Sequence, residues 1–165
     1  LQMILPAIEL YLDRNPDVQF ELFGSIPVPE GLKKFGPRIT VAPPIANYNR
    51  FLEEFSSYGW DIGICPLTPI PFNLSKANTK WVEYTSVGIA AIASKDTVYD
   101  DCCDNGCGIL ATTNEDWLNA LERLTRDPHE RFNQVIRAQQ KLRSEYGLPQ
   151  LRRQVLDMMA LARQG

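Results

Sequence analysis

Short apolar segments that alternate with helical patterns are the feature that most constrains how this chain folds. Residues 61–65 and 89–93 are brief, almost uninterrupted apolar runs, and each follows a segment whose apolar residues recur every three or four positions. Strands buried on both faces have this composition, and helices between them place them in a parallel sheet. We therefore expect an α/β domain with a doubly wound, mostly parallel sheet and helices on both faces.

The order of the predicted elements extends this architecture along the chain. Helices are predicted at residues 1–12, 48–58 with Asn47 as the N-cap, and 75–87, and further strands at 18–23, 38–41 and 108–111. Thr113 with Asp116, and Asp127 with Pro128, are start signals for helices from about residue 114 onward. No strand is predicted ahead of the first helix. We expect one Rossmann-like domain over residues 1–165 that lacks its first strand and is a fragment of a longer chain.

The last predicted helix, at residues 149–163, has an apolar face. That face carries Leu151, Val155, Met158, Met159 and Ala162. Apolar residues at this spacing predict packing in the core or against another domain.

Composition and charge exclude several kinds of partner. The formal net charge is -3, so we expect no binding to nucleic acid, which requires a basic surface. No run of about 18 apolar residues is present and no leader pattern is visible, which predicts a cytoplasmic protein, in solution or at the inner face of a membrane. Cys102, Cys103 and Cys107 lack the second cysteine pair of a zinc site, and Cys65 lies in an apolar run. We expect reduced thiols and no metal.

The expected binding site lies at the carboxyl ends of the predicted strands. In an open parallel sheet, ligands bind outside these ends, where helix N-termini direct backbone amides outward. Four loops meet this condition: residues 24–29, 42–46, 66–75 and 94–97.

Three charged residues follow the third of these loops at helical spacing. Lys76, Lys80 and Glu83 are separated by four and three positions, so one face of the helix predicted at 75–87 carries all three. Lysines near a helix N-terminus favour a bound phosphate, and an acid further along accepts hydrogen bonds from ribose hydroxyls. The alternative is that Lys80 and Glu83 form only a solvated surface pair.

Several motifs occur in an order that is more specific than any one of them. The sequence WDIGICPL at residues 60–67 is followed by Phe72-Asn73, Lys76, Lys80, Glu83-Tyr84, Gly88 and an apolar strand that ends at Ser94. Over essentially the whole chain, this order resembles the C-terminal lobe of GT-B-fold glycosyltransferases of the group 1 type. The sequence GCGIL at 106–110 is similar to the family's glycine-containing turn before its last strand.

The resemblance implies a site for a nucleotide-sugar donor. Glu83 matches the glutamate that holds the donor ribose in the family, whereas Ser75 stands where many relatives have a second glutamate near the sugar. From their place at the start of the predicted helix, Lys76 and Lys80 are expected at phosphate or sugar oxygens, although the resemblance itself does not assign them that role. Asn73 and Ser75 are expected at the sugar or the phosphate.

The resemblance also implies the activity of the complete protein. Relatives transfer a sugar from a nucleotide-diphosphate sugar, often with retention, and basic side chains and helix dipoles stabilise the leaving diphosphate without a metal or other cofactor. The acceptor would bind mainly to an N-terminal lobe of the same protein, so this chain alone is expected to be inactive. Polysaccharide biosynthesis is the expected process, and the sequence identifies no catalytic residue.

Two other functions stay open. A noncatalytic domain can keep this fold for nucleotide sensing or protein interaction, and Ser75 favours that alternative. A nucleotide-sugar epimerase can share the same two-lobed fold.

Overall fold

The fold consists of parallel strands and helices that alternate along the chain. The computed structural model describes residues 1–162. Within them the strands are β1 (Phe20–Phe23), β2 (Ile39–Ala42), β3 (Ile62–Cys65), β4 (Ala90–Ser94) and β5 (Ile109–Ala111). The α-helices are α1 (Leu5–Arg14), α2 (Tyr48–Ser57), α3 (Pro71–Leu74), α4 (Thr79–Ser86), α5 (Asp100–Cys103), α6 (Asn114–Arg126), α7 (Pro128–Glu145) and α8 (Leu148–Ala162). Short 3-10 segments lie at Gln2–Ile4, Glu30–Arg38 and Asp104–Gly106.

The strands pair in parallel, as predicted, but in two groups. β1 pairs with β2, and β3, β4 and β5 pair in that order. Both groups contribute to one apolar core, because Phe20 and Ile39 pack on the same cluster of buried residues as Ile62 and Ile64. The two groups therefore form one layer that is divided between β1 and β3.

Helices cover both faces of this layer, as expected for a doubly wound domain. On one face, α1 and α6 form the larger core, in which Leu12, Trp117 and Leu124 are fully buried. On the other face, Trp81 of α4 and Ala138 of α7 pack with Cys65 and neighbouring residues. Burying apolar side chains on both faces is what makes the short strands continuous apolar runs.

Helix starts agree closely with the sequence signals. The Asn47 side chain accepts a hydrogen bond from the Arg50 amide, and Asp127 caps α7 in the same way. Thr113 and Asp116 form a complete capping box at the start of α6. Each cap satisfies an amide that has no partner inside the helix.

The helix predicted at residues 75–87 is wrong in its first turn. The structure instead has α3, which begins at Pro71 inside the predicted loop, and then α4 from Thr79. Ser75 and Lys76 lie between the two helices, so Lys76 does not share a helical face with Lys80 and Glu83. Asn78 is the N-cap residue of α4, and its side chain donates to the Tyr146 hydroxyl at 2.6 Å.

All four cysteines are buried free thiols, which agrees with the prediction. Burial raises the pKa of Cys65 to about 12, so this thiol is protonated at neutral pH and is a packing residue rather than a nucleophile.

The apolar face of α8 does not reach the core. Val155, Met158 and Met159 are at least half exposed, and Leu151 is exposed as well. The prediction that these side chains pack in the core is therefore wrong. Their packing against another domain stays a prediction. The side chain of Ala162 and residue 163 lie outside the described residues. No helix within residues 1–162 is long and apolar enough to cross a membrane.

The capping box gives a test of the fold. Replacing Thr113 by alanine leaves the Asp116 amide unsatisfied, so we expect Thr113→Ala to lower the free energy of unfolding by about 1 kcal/mol. Thr112→Ala is the matched control, because Thr112 contributes only its backbone amide to the box. Urea unfolding followed by circular dichroism measures both. Equal effects of the two substitutions would contradict this role of the cap.

Candidate functional site

The winding direction of the chain changes between β1 and β3. The segment Glu30–Arg38, which connects β1 to β2, packs on the α1 and α6 face through Leu32, whereas α4 connects β3 to β4 on the opposite face. Right-handed connections on opposite faces lead the chain away from this point in opposite directions. Ligands of open α/β sheets bind at such a switch point, outside the carboxyl ends of the strands.

A cleft occupies the switch point. This central cleft, the space between β1 and β3, has a volume of about 700 Å³. It is lined along its length by residues 17–23, 58–62 and 64, at its carboxyl end by Leu1, Ile26, Pro66, Lys80 and Glu83, and on its two faces by Tyr11, Phe51, Phe55, Tyr84, Leu121, Thr125 and Arg131. A volume of this size is in the range of small-molecule sites.

The carboxyl end of the cleft carries a cation and an acid side by side. Lys80 and Glu83 project from α4, which follows the loop after β3. The Ser94 hydroxyl accepts a hydrogen bond at 2.8 Å from the Leu67 amide and thereby holds that loop to the end of β4. The strand ends and α4 thus fix the positions of both charged residues.

Glu83 lies in a partly desolvated position. Burial raises the pKa of Glu83 above its ordinary value, and the nearby charge of Lys80 acts in the opposite direction. Among residues 1–162, its carboxylate accepts no hydrogen bond from a side chain or backbone amide. A half-buried acceptor with free lone pairs is suited to bind hydroxyl groups of a ligand.

Tyr84 forms the wall of the cleft next to Glu83. Its ring stands over Gly63, where an added Cβ would lie 2.6 Å from the ring, and it stacks on Phe55 at a centroid distance of 5.7 Å. Any larger residue at position 63 would displace the ring. Burial raises the pKa of Tyr84 well above its ordinary value, so its hydroxyl stays neutral at physiological pH.

The other predicted site residues lie before α4 and do not line the central cleft. Asn73 is buried, and its side chain donates to the Thr68 carbonyl at 2.9 Å, which stabilises the loop. The Ser75 hydroxyl donates to the Pro71 carbonyl at 3.4 Å. The Lys76 ammonium lies 4.9 Å from the centre of an exposed phenylalanine ring. The predicted ligand contacts of Asn73, Ser75 and Lys76 are untested.

Sequence analysis did not identify the aromatic wall of the cleft as part of the site. The sequence predicted a helix at residues 48–58, and the structure shows that Phe51, Phe55 and Tyr58, at its helical spacing, face the cleft. Their spacing showed the face and gave no sign of what it covers. Gly63, inside an apolar strand, was the one signal of a close approach by another group.

Comparison with known proteins identifies the fold. The structure matches the C-terminal domain of the glycosyl transferase group 1 family protein LpcC from Francisella tularensis with a TM-score of 0.68 and 19% identity, over 89% of this chain and 79% of that one. It matches HepE from Anabaena, solved in complex with UDP, with a TM-score of 0.72 and 14% identity, over 96% of this chain. The chain has the fold of a GT-B C-terminal domain.

The likeness to GT-B proteins is found by comparing structures. The complex of HepE with UDP-glucose gives a TM-score of 0.71 at 14% identity. The chain spans 44% of the length of HepE. No protein-family model and no curated protein matches the sequence.

The cysteines and acids of residues 1–162 do not assemble a metal site. In this part of the chain, no three His, Cys, Asp or Glu residues form a group that could hold a metal ion.

The raised pKa of Glu83 predicts a pH-dependent cost in stability. Because the folded state binds this proton more tightly than the unfolded chain, the cost is absent below the ordinary pKa of 4.5 and grows as the pH rises through the folded pKa. We expect Glu83→Gln to be more stable than the parent protein at about pH 7, with this gain disappearing near about pH 4. Urea unfolding at both pH values measures the difference.

The substitution Lys80→Met tests how the charge of Lys80 affects the pKa of Glu83. Removing the cation should raise the pKa of Glu83 further, which an NMR titration of the side-chain carboxyl carbon detects. An unchanged or lower Glu83 pKa in Lys80→Met would contradict the described electrostatics.

Proposed function

We propose that this chain is the donor-binding domain of a glycosyltransferase and that a nucleotide-diphosphate sugar binds at the carboxyl end of the central cleft. The observation that carries the proposal is the position of Glu83, a partly buried acid that accepts no hydrogen bond from residues 1–162, beside Lys80 at the switch point of the sheet. The fold it shares with HepE, which is solved with UDP and with UDP-glucose, supports the same ligand class.

The proposed roles follow from charge and position. Glu83 accepts hydrogen bonds from the ribose hydroxyls of the donor, and Lys80 pairs with its diphosphate, three positions away on the same helix. Lys76, Ser75 and Asn73 lie on the preceding segment, where they would contact the sugar or its phosphate. Contact with these three residues requires a donor that extends from the cleft over α3.

The proposed reaction is transfer of a hexosyl or other glycosyl group to an acceptor. As the bond to the leaving diphosphate breaks, the sugar gains oxocarbenium character and the diphosphate gains negative charge, which Lys80 would stabilise. An N-terminal lobe of the same protein would hold the acceptor, and the transfer would proceed with retention. This chain alone would bind the donor without transferring the sugar. Polysaccharide biosynthesis, in the cytoplasm or at the inner face of a membrane, is the proposed setting.

One observation favours a noncatalytic domain as the second candidate. Ser75 replaces the acid that relatives often place near the sugar, and its hydroxyl is engaged with the Pro71 carbonyl. A domain that binds the nucleotide but does not act on the sugar would keep Glu83 and tolerate Ser75. Glycosyl transfer by the full-length protein would exclude this candidate, and interconversion of the free nucleotide sugar would indicate an epimerase.

Titration with UDP and UDP-glucose tests the donor site. We expect NMR shifts in α4 and in the loop after β3, and an affinity about 10- to 100-fold lower in Glu83→Ala, since a hydrogen bond to a charged group contributes about 1.5–3 kcal/mol. Glu53→Ala, on the exposed side of α2, is the matched control and should bind like the parent protein.

Two results would contradict the donor site. One is that no nucleoside diphosphate or nucleotide sugar shifts the signals of α4. The other is that Glu83→Ala and Glu53→Ala have the same affinity for the ligand that does bind.

A further inference from the structure

Asn78 precedes the helix that carries Lys80 and Glu83, yet its side chain does not cap that helix. An asparagine at an N-cap usually accepts a hydrogen bond from an amide of the first turn. At α4 the Asn78 side chain forms no such bond within the described residues and instead donates to the Tyr146 hydroxyl at 2.6 Å. The side chain that could cap α4 therefore attaches the start of this helix to another part of the chain.

Helix α7 runs along the sheet in the direction of the strands. Near its start, Arg131 donates to the Asp61 carboxylate, directly before β3. After its end, Tyr146 meets Asn78, in the segment that follows the carboxyl end of β3. The length of α7 thus places Tyr146 beside the start of α4, at the end of the sheet that carries the two charged residues of the central cleft.

Trp81 provides a second attachment in the same turn of α4. Its ring is fully buried and lies 5.6 Å from the Tyr146 ring, centre to centre. Its indole nitrogen donates to the Cys107 carbonyl at 3.1 Å. Trp81 lies between Lys80 and Glu83 in the sequence and points to a different side of α4. The contacts that bury Trp81 therefore also set the direction in which those two side chains project.

The electrostatic state of Glu83 depends on this placement. Burial raises the pKa of Glu83, and the charge of Lys80 lowers it. Both effects weaken when a side chain moves toward water or away from its partner. The pKa of Glu83 is therefore a measure of where the first turns of α4 hold its carboxylate.

We propose that Tyr146 is a positioning residue for the donor site. Through Asn78 and Trp81 it holds the first turn of α4, and thereby keeps the Lys80 ammonium and the Glu83 carboxylate at the carboxyl end of the central cleft. Tyr146 acts through α4 and not by contact with the ligand. The proposal rests on the proposed function for its effect on nucleotide affinity, but the placement of Glu83 can be measured without a ligand.

An NMR titration of the Glu83 carboxyl carbon in the full-length protein tests the positioning. The substitution Tyr146→Phe keeps the ring and removes the hydroxyl that anchors Asn78. We expect the pKa of Glu83 in this variant to move toward its ordinary value, because a looser first turn exposes the carboxylate to water. Asn78→Ala removes the same bond from the other side and should have the same effect, and the double variant should add no further change.

The affinity for UDP provides the second measurement. We expect binding to be about 3- to 10-fold weaker in Tyr146→Phe, the range for loss of one hydrogen bond. Gln139→Met is the matched control, because Gln139 also links α7 to α4, by a hydrogen bond of 3.1 Å to the Thr85 carbonyl near the other end of α4. This control should match the parent protein in UDP affinity and in the pKa of Glu83.

Three results would overturn the proposal. The first is an unchanged pKa of Glu83 in Tyr146→Phe, with the fold intact by circular dichroism. The second is an equal change of this pKa in Tyr146→Phe and Gln139→Met, which would indicate a general loosening of the domain. The third is a UDP affinity that falls in Glu83→Ala but not in Tyr146→Phe. If Glu83→Ala binds UDP like the parent protein while Tyr146→Phe still changes the pKa of Glu83, only the proposed function is refuted.

Discussion

The change of winding direction between β1 and β3 is the constraint on which the rest of the structure depends. Connections on one face lead outward through β1 and β2, and connections on the other face lead outward through β3, β4 and β5. Because these connections diverge from the switch point, the ends of β1 and β3 border an open cleft. The same constraint therefore creates the central cleft and places the N-terminal half of α4 at its carboxyl end.

The position of Glu83 is electrostatically unfavourable in the free protein and favourable for binding hydroxyl groups. Holding Glu83 in a partly desolvated position disfavours its charged form, and Lys80 only partly offsets this. A packing residue at that position would stabilise the domain more. A carboxylate without a donor becomes favourable when a ligand supplies hydroxyl groups, which is the usual relation between strain in a free site and affinity in a bound one.

Much of the fold could be predicted from local signals, and part of the site could not. The caps at Asn47, Thr113 and Asp127 and the apolar runs of β3 and β4 depend on adjacent residues, and all appear in the structure. Asn78, at the break before α4, is hydrogen-bonded to Tyr146, which is far away in the sequence. Helical spacing therefore grouped Lys76 with Glu83 although the backbone separates them.

The cleft shows a similar limit of sequence reasoning. The sequence predicted the helix at residues 48–58, but only the folded chain shows that its residues Phe51 and Phe55 cover the space between β1 and β3.

A crystal structure of the protein with bound UDP tests the central claim most directly. We expect the nucleotide outside the carboxyl ends of β1 and β3, with the ribose hydroxyls within hydrogen-bonding distance of the Glu83 carboxylate and the diphosphate near Lys80. UDP bound on another face of the sheet, or in the cleft without contact to Glu83, would contradict it.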